Sequence, residues 1–91
     1  MRINEPKIIT TKELLEEIVR KATANGESQC VEASLGLHGG LASTHFLVYD
    51  PDTKILYDEG CDGEQYETSL ESFANDSLYS RPEARWRLWD N

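Results

Sequence analysis

Two strands and the turn between them are encoded in "THFLVYDPDTKILYDEG", residues 44–60. Residues 44–50 and 54–60 are rich in β-branched, aromatic and aliphatic side chains, which favour strands. Between them, Pro51 suits the second position of a tight turn, and Asp50 can accept hydrogen bonds from the turn backbone. The stretch therefore predicts two antiparallel strands connected by a short turn.

A third strand is predicted just before this pair, in "SQCVEASLGL", residues 28–37. Its residues alternate in character. Cys30, Glu32 and Ser34 fall on one side, and the side expected to face the core carries Val31, Ala33, Leu35 and Leu37. The segment "GLHGGLAS", residues 36–43, then supplies three glycines and predicts a loop. Whether Gly36 to Gly40 bind a ligand is left open by the sequence.

An amphipathic helix is predicted from Thr11 to Ala24. Thr10 and Glu13 have the spacing of a capping box, and Gly26 suits the left-handed turn that ends a helix. Apolar residues recur at helical intervals, namely Leu14, Leu15, Ile18, Val19 and Ala22. Two i,i+4 ion pairs are expected on its exposed side, Glu16 with Arg20 and Glu17 with Lys21.

The C-terminal third predicts a short helix and a final strand. The helix is placed in "SLESFANDSL", with a capping box from Thr68 and Glu71. Its apolar face is expected to carry Leu70, Phe73, Ala74 and Ser77. The strand "ARWRLWD" is expected to point Trp86 and Leu88 into the core, opposite to Arg85, Arg87 and Trp89.

The chain is expected to form one α+β domain over residues 1–91, because this length supports a single core. The predicted order is α-β-β-β-α-β. The simplest arrangement is an antiparallel sheet with both helices packed on one face and the last strand added alongside. No window has the length of a signal peptide or membrane span, and only two cysteines occur, so we expect a cytoplasmic protein.

Acidic residues dominate the charge of the chain. Nine basic against seventeen acidic residues give a formal net charge of −8. Such a surface repels nucleic acid phosphates and anionic lipids and attracts basic proteins and cations. We therefore expect no direct contact with nucleic acid or membrane. The oligomeric state is not indicated.

Metal binding is the first alternative use of so many carboxylates. An EF-hand starting at Asp50 would need glycine at its sixth position, where the chain has Ile55. A looser calcium or magnesium site from Asp58, Glu59, Asp62 and Glu64 stays open, as does a zinc site from Cys30, His38, His45 and Cys61. Neither set has the spacing of a known metal motif. We expect no metal and no cofactor.

Catalysis is the second alternative. A cysteine nucleophile, Cys30 or Cys61, with His38 or His45 as its base has no local motif to support it. Paired carboxylates such as Asp58 with Asp62 would need a cleft that excludes water, which a domain of this size rarely builds. The expectation is a protein without enzymatic activity, with a small metal-dependent or thiol enzyme as the alternative.

The acid is concentrated between residues 50 and 76, which hold nine acidic residues and one basic residue. Tyrosines lie among them, and aromatic rings surrounded by carboxylates suit the recognition of a basic surface. The predicted partner-binding residues are Asp52, Tyr57, Asp58, Glu59, Asp62, Glu64, Tyr66, Glu67, Glu71 and Asp76. The structural alternative is a solvated face that only keeps the domain soluble.

The predicted function is a non-enzymatic acidic protein that blocks a basic surface of a larger protein, such as a nucleic-acid-binding surface. Phage-encoded inhibitors of host defence nucleases act in this way. An immunity protein or antitoxin that neutralises a basic toxin is the alternative, because such proteins are also small and acidic.

Overall fold

The structure is a computed structural model that describes residues 7–26, 28–37, 43–60 and 63–89. These residues form six strands and two helices. In chain order they are β1 (Lys7–Ile9), α1 (Thr11–Asn25), β2 (Gln29–Leu37), β3 (Ser43–Asp50), β4 (Ile55–Gly60), β5 (Gln65–Thr68), α2 (Leu70–Ala74) and β6 (Ala84–Leu88). No helix in the described ranges is both long and apolar enough to cross a membrane.

All six strands belong to one antiparallel sheet with the order β1-β6-β2-β3-β4-β5. The predicted meander is present as β2, β3 and β4, and the last strand lies alongside β2, as expected. The α+β class and the antiparallel sheet are therefore confirmed. Residues of both helices pack into a single core with one face of the sheet.

Two short strands were not predicted. β1 pairs with β6, with Ile9 opposite Trp86, and β5 pairs with β4, with Tyr66 opposite Asp58. Three and four residues are too few for an alternating pattern to stand out, and β5 ("QYET") has only one apolar side chain. Both become strands because a longer neighbour offers free backbone hydrogen-bonding groups along its edge.

The predicted cap and end of α1 are confirmed. Thr10 and Glu13 form the reciprocal capping box, and Gly26 ends the helix with φ 68°. The Arg20 guanidinium bonds the carboxylate of Glu17, three residues earlier, and the expected i,i+4 pairs of Glu16 with Arg20 and of Glu17 with Lys21 stay predictions. That carboxylate is only three residues away and within reach of the bidentate guanidinium.

The second helix is shorter than expected and begins elsewhere. Ser69, not Thr68, is its N-cap, and the Ser69 hydroxyl accepts the N–H of Ser72 at 3.1 Å. Thr68 is the last residue of β5, so its backbone belongs to the sheet. Phe73 is buried as predicted, whereas Ser77 lies beyond the helix and is exposed.

The turn between β3 and β4 uses Asp50 as expected. Its carboxylate accepts the N–H of Asp52 at 2.9 Å, and its carbonyl accepts the N–H of Lys54 at 2.8 Å. Lys54 has a φ of 62°, the left-handed conformation that lets the chain enter β4 after four turn residues. The acids Asp50 and Asp52 thus lie at one end of the sheet.

The predicted core residues are buried on the face that meets the helices. Val31, Ala33 and Leu35 are buried on β2, and Trp86 and Leu88 are buried on β6 while Arg85 and Arg87 are exposed. The fully buried large side chains are Leu14, Ile18, Leu35, Leu47, Leu56, Trp86 and Leu88. The side chain of Leu37, together with residues 38–42, Cys61 and Asp62, lies outside what the structure describes.

Candidate protein-binding surface

The sheet has one face packed against the helices and one face that the described helices leave uncovered. Side chains alternate along each strand, so a buried residue is followed by one that points the other way. On β3, Leu47 and Tyr49 are buried while Phe46 is 38% exposed and Val48 is half-buried. The uncovered side is therefore set by the register of the strands.

Two rows of side chains cross this uncovered side. Residues opposite each other in an antiparallel sheet point to the same face. The first row runs Glu32, Phe46, Glu59, Gln65, and the second runs Cys30, Val48, Tyr57, Glu67. We call these eight residues the open sheet face. With strands about 4.8 Å apart, each row spans about 15 Å across β2, β3, β4 and β5.

The open sheet face has an apolar centre with acid around it. Phe46 and Val48 lie on β3 and Tyr57 lies on β4, and Glu32, Glu59 and Glu67 flank them. Three carboxylates within two rows create a local negative field that faces solvent. Arg87 points to the same side of the sheet from β6, opposite Ser34, so a basic residue lies at one end of this side and the acidic residues lie at the other.

Three of the ten residues predicted from the sequence belong to this surface, namely Tyr57, Glu59 and Glu67. The structure does not bring the remaining described ones to the same place. Asp52 is exposed in the turn after β3, Glu64 precedes β5, and Glu71 is exposed on α2. The Asp76 carboxylate accepts the N–H of Leu78 at 2.8 Å in the turn after α2. Asp62 lies outside the described residues.

Two members of the open sheet face, Glu32 and Phe46, were missed as site residues. Glu32 lies outside the acidic segment 50–76, and only strand pairing brings it next to Phe46. A signal for Phe46 was present, because residues 46–49 are apolar on both faces of one strand. A strand with one solvated face is expected to alternate with polar residues, so a large apolar residue on that face is informative.

Asp58 and Tyr66 lie on the opposite face of the sheet, beside the helices. Asp58 lies within β4, as the predicted strand over residues 54–60 implies, and its side chain is only 14% exposed. Its Oδ1 is 2.7 Å from His45 Nδ1, and the hydroxyl of Ser43 is 3.0 Å from His45 Nε2. These three side chains border a cavity of about 310 Å³, which Tyr66 and Tyr79 also line.

The order hydroxyl, imidazole, carboxylate is that of a nucleophile with its base and orienting acid. This set is not visible in the sequence, because Asp58 comes from a neighbouring strand. The His45 side chain is only 12% exposed, and its ring meets Trp86 edge-on at 5.4 Å and Tyr79 at 5.9 Å between centroids. The half-buried His45 ring is held by aromatic packing and by the Asp58 carboxylate, so it joins β3 to β4, and we interpret the cluster as structural.

Tyr79 packs above this cluster and carries a shifted pKa. Burial raises the pKa of Tyr79 to about 12, and the carboxylates of Asp58 and Asp76 add to the effect by opposing a second negative charge. The neutral phenol is therefore favoured in the folded state.

A pH dependence follows from this shift. The contribution of Tyr79 to stability should be fully present below pH 10.0, the ordinary pKa, and should be lost as the pH rises through about 12. We expect the free energy of unfolding of the wild type to fall between these pH values relative to that of Tyr79→Phe. Urea unfolding of both proteins across this range measures the difference. Parallel pH profiles would contradict the prediction.

No metal site emerges from the described residues, which contain no group of three or more His, Cys, Asp or Glu side chains arranged to hold an ion. Cys30 is a free, exposed cysteine on the open sheet face.

Comparison of the chain with protein-family models, with curated proteins and with solved structures found no match.

Proposed function

We propose that this protein is a non-enzymatic binding protein that covers a basic surface of a larger protein with its open sheet face. The observation that carries the proposal is the arrangement of Glu32, Glu59 and Glu67 around Phe46 and Tyr57 on a face that neither described helix covers. A cytoplasmic location belongs to the proposal, on the sequence grounds given above.

The composition of this face matches what stable interfaces need. Binding energy concentrates in a few central residues, aromatic ones above all, and a polar rim keeps water away from them. Phe46 and Tyr57 supply the central rings, and the glutamates supply the rim. Negative rim charges also accelerate the encounter with a positive partner, an effect that salt suppresses.

The class of partner follows from the charge. A surface that binds nucleic acid carries lysines and arginines that contact phosphates. Carboxylates held at fixed positions on a rigid sheet can contact those cations in place of phosphates. The partner is thus a nucleic-acid-binding protein, such as a nuclease, that is inhibited while its basic surface is covered. A basic toxin neutralised by an immunity protein or antitoxin presents the same chemistry, and a toxin gene beside this one would identify that case.

The test begins with affinity capture from native lysate at ordinary salt, read by mass spectrometry, and continues with purified partner. The triple variant Glu32→Lys, Glu59→Lys, Glu67→Lys should lose binding by more than about a hundredfold, because reversed charges repel the partner and slow association. The matched control is Asp52→Lys, Glu71→Lys, Glu83→Lys, which changes the net charge equally at exposed positions off the open sheet face. We expect a much smaller loss in the control.

Phe46→Ala tests the apolar centre separately. Loss of a central ring should weaken binding by at least about tenfold, mainly through faster dissociation. Equal losses in the two triple variants, with Phe46→Ala unchanged, would mean that net charge alone attracts the partner and would remove the support for this surface. Circular dichroism of each variant confirms that it is folded.

A further inference from the structure

The other side of the molecule contains a groove of about 760 Å³. One wall is α1, and the opposite wall is formed by α2 and the chain from Tyr79 to Arg85. We call it the helix groove. Its apolar lining includes Leu15, Val19, Leu70, Ala74, Tyr79 and Pro82. Val19, Leu70 and Ala74 are only partly buried, although they adjoin the core, so an apolar stripe is left in contact with water.

The groove is long and open. Its lining on α1 runs from Thr11 to Arg20, which corresponds to about 14 Å at a rise of 1.5 Å per residue. This length accommodates between two and three turns of a second helix. A volume of this size also lies in the range of ordinary binding sites.

The two walls are fixed relative to each other by a buried hydroxyl. Thr11 donates a hydrogen bond from its Oγ1 to the carbonyl of Tyr79 at 2.7 Å, and the same oxygen accepts the Nε1–H of Trp86 at 2.9 Å. These bonds tie the start of α1 to the opposite wall and to the core. The groove is thus present before any partner arrives, which reduces the ordering entropy that binding must overcome.

The charge of the groove is opposite to that of the protein. In a chain with nine basic and seventeen acidic residues, four basic residues line the groove, Lys12 and Arg20 on one wall and Arg81 and Arg85 on the other. Glu16 is the single acidic residue among the described lining residues. Arg20 is paired with Glu17, so Lys12, Arg81 and Arg85 are the cations that matter most. Arg85 is held at the wall by its hydrogen bonds to the carbonyls of Pro82 and Ala84, both 2.8 Å.

We propose that the helix groove binds an acidic amphipathic α-helix of a partner protein. Its apolar residues, spaced i, i+4 and i+7, fill the stripe between the walls, and its acidic residues on both flanks meet the cations on the two rims. Because the cations lie on both walls of the groove, they match a helix whose apolar stripe has acidic residues on each side. The site lies on the helix side of the sheet and is independent of the open sheet face.

The probe for this site is a blocked peptide of about 14 residues with leucines at i, i+4 and i+7, glutamates on both flanks and alanine elsewhere. A second peptide replaces every glutamate with lysine. Titrations followed by fluorescence anisotropy should show saturable binding of the acidic peptide and at least about tenfold weaker binding of the basic one. Saturating laurate, an anionic amphiphile, should not displace the acidic peptide.

Two matched variants locate the binding. Lys12→Glu with Arg81→Glu reverses charges on both walls and should reduce affinity for the acidic peptide by at least about tenfold. Lys54→Glu with Arg87→Glu makes the same change in net charge outside the groove and should leave affinity within about twofold. All four positions are exposed, so both variants should stay folded, which circular dichroism checks.

Absence of binding by the acidic peptide, equal binding of both peptides, equal effects of the two variants, or displacement by laurate would each overturn the proposal. The Glu32, Glu59, Glu67 triple variant should bind the acidic peptide at least as well as the wild type. Failure at the groove is therefore distinguishable from failure at the open sheet face.

Discussion

Trp86→Ala should lower the free energy of unfolding by about 3–5 kcal/mol, the usual range for removing a buried tryptophan. Trp86 is fully buried on β6, and its ring centroid lies 5.3 Å from that of Tyr79 and 5.8 Å from that of Phe73. Its removal leaves a cavity at the point where β6, α1 and α2 meet. It also leaves Thr11 without the indole hydrogen bond that it accepts at 2.9 Å.

Chemical unfolding of Trp86→Ala and Trp89→Ala measures this difference. Trp89 is half-buried just beyond the end of β6, so its replacement should shift the midpoint less. Trp86→Phe keeps part of the ring volume and should fall between the wild type and Trp86→Ala, which provides a measurable variant if the alanine protein does not fold. A larger midpoint shift in Trp89→Ala than in Trp86→Ala would contradict the assignment of faces on β6.

Asp58→Ala should destabilise the fold by about 1–3 kcal/mol, the range for leaving a buried polar partner unsatisfied. His45 Nδ1 would lose its contact with Asp58 at 2.7 Å, and the two side chains are only 12% and 14% exposed. Asp58→Asn keeps an acceptor oxygen and should lose less. The control is Glu59→Ala, the next residue on the same strand, which is exposed on the opposite face and should change stability by less than about 0.5 kcal/mol.

Urea unfolding of the three variants near neutral pH decides whether these adjacent acids differ. Equal midpoints for Asp58→Ala and Glu59→Ala would mean that the pair between His45 and Asp58 adds nothing to stability. Asp58 would then be no more important for the fold than an exposed surface carboxylate. Because Asp58 supports the fold, it is left out of the charge-reversal variant that tests binding.

The fold was accessible from the sequence wherever local chemistry and periodicity agree. The capping box at Thr10, the left-handed Gly26 and the turn at Asp50 are short-range features, and each forms as its residues predict. The core face of β2 and β6 followed from alternation, since a half-buried strand places every second side chain inside. β1 and β5 were not predicted, because these short segments form strands only by pairing with a neighbouring strand.

The candidate binding surface was only partly accessible in the same way. The sequence shows that acidic residues are concentrated between residues 50 and 76, but in the fold their side chains lie on different sides of the domain. Asp58 and Glu59 are neighbours in the chain, yet the strand sends one to His45 and the other to solvent. A count of acidic residues does not tell on which face of the sheet each one lies. That requires the strand boundaries and the knowledge of which alternate residues point to the core.

The sequence is enough to predict the class of the fold, the positions of the long elements, the buried side of β6 and the excess of negative charge. The folded chain was needed to show that Glu32 joins Phe46 and Glu59 in one row, and that four cations line a groove of an acidic protein. The difference lies in the range of the interactions. Caps, turns and alternation are set by residues a few positions apart, whereas a surface is assembled by strand register and helix packing between residues that are distant in the chain.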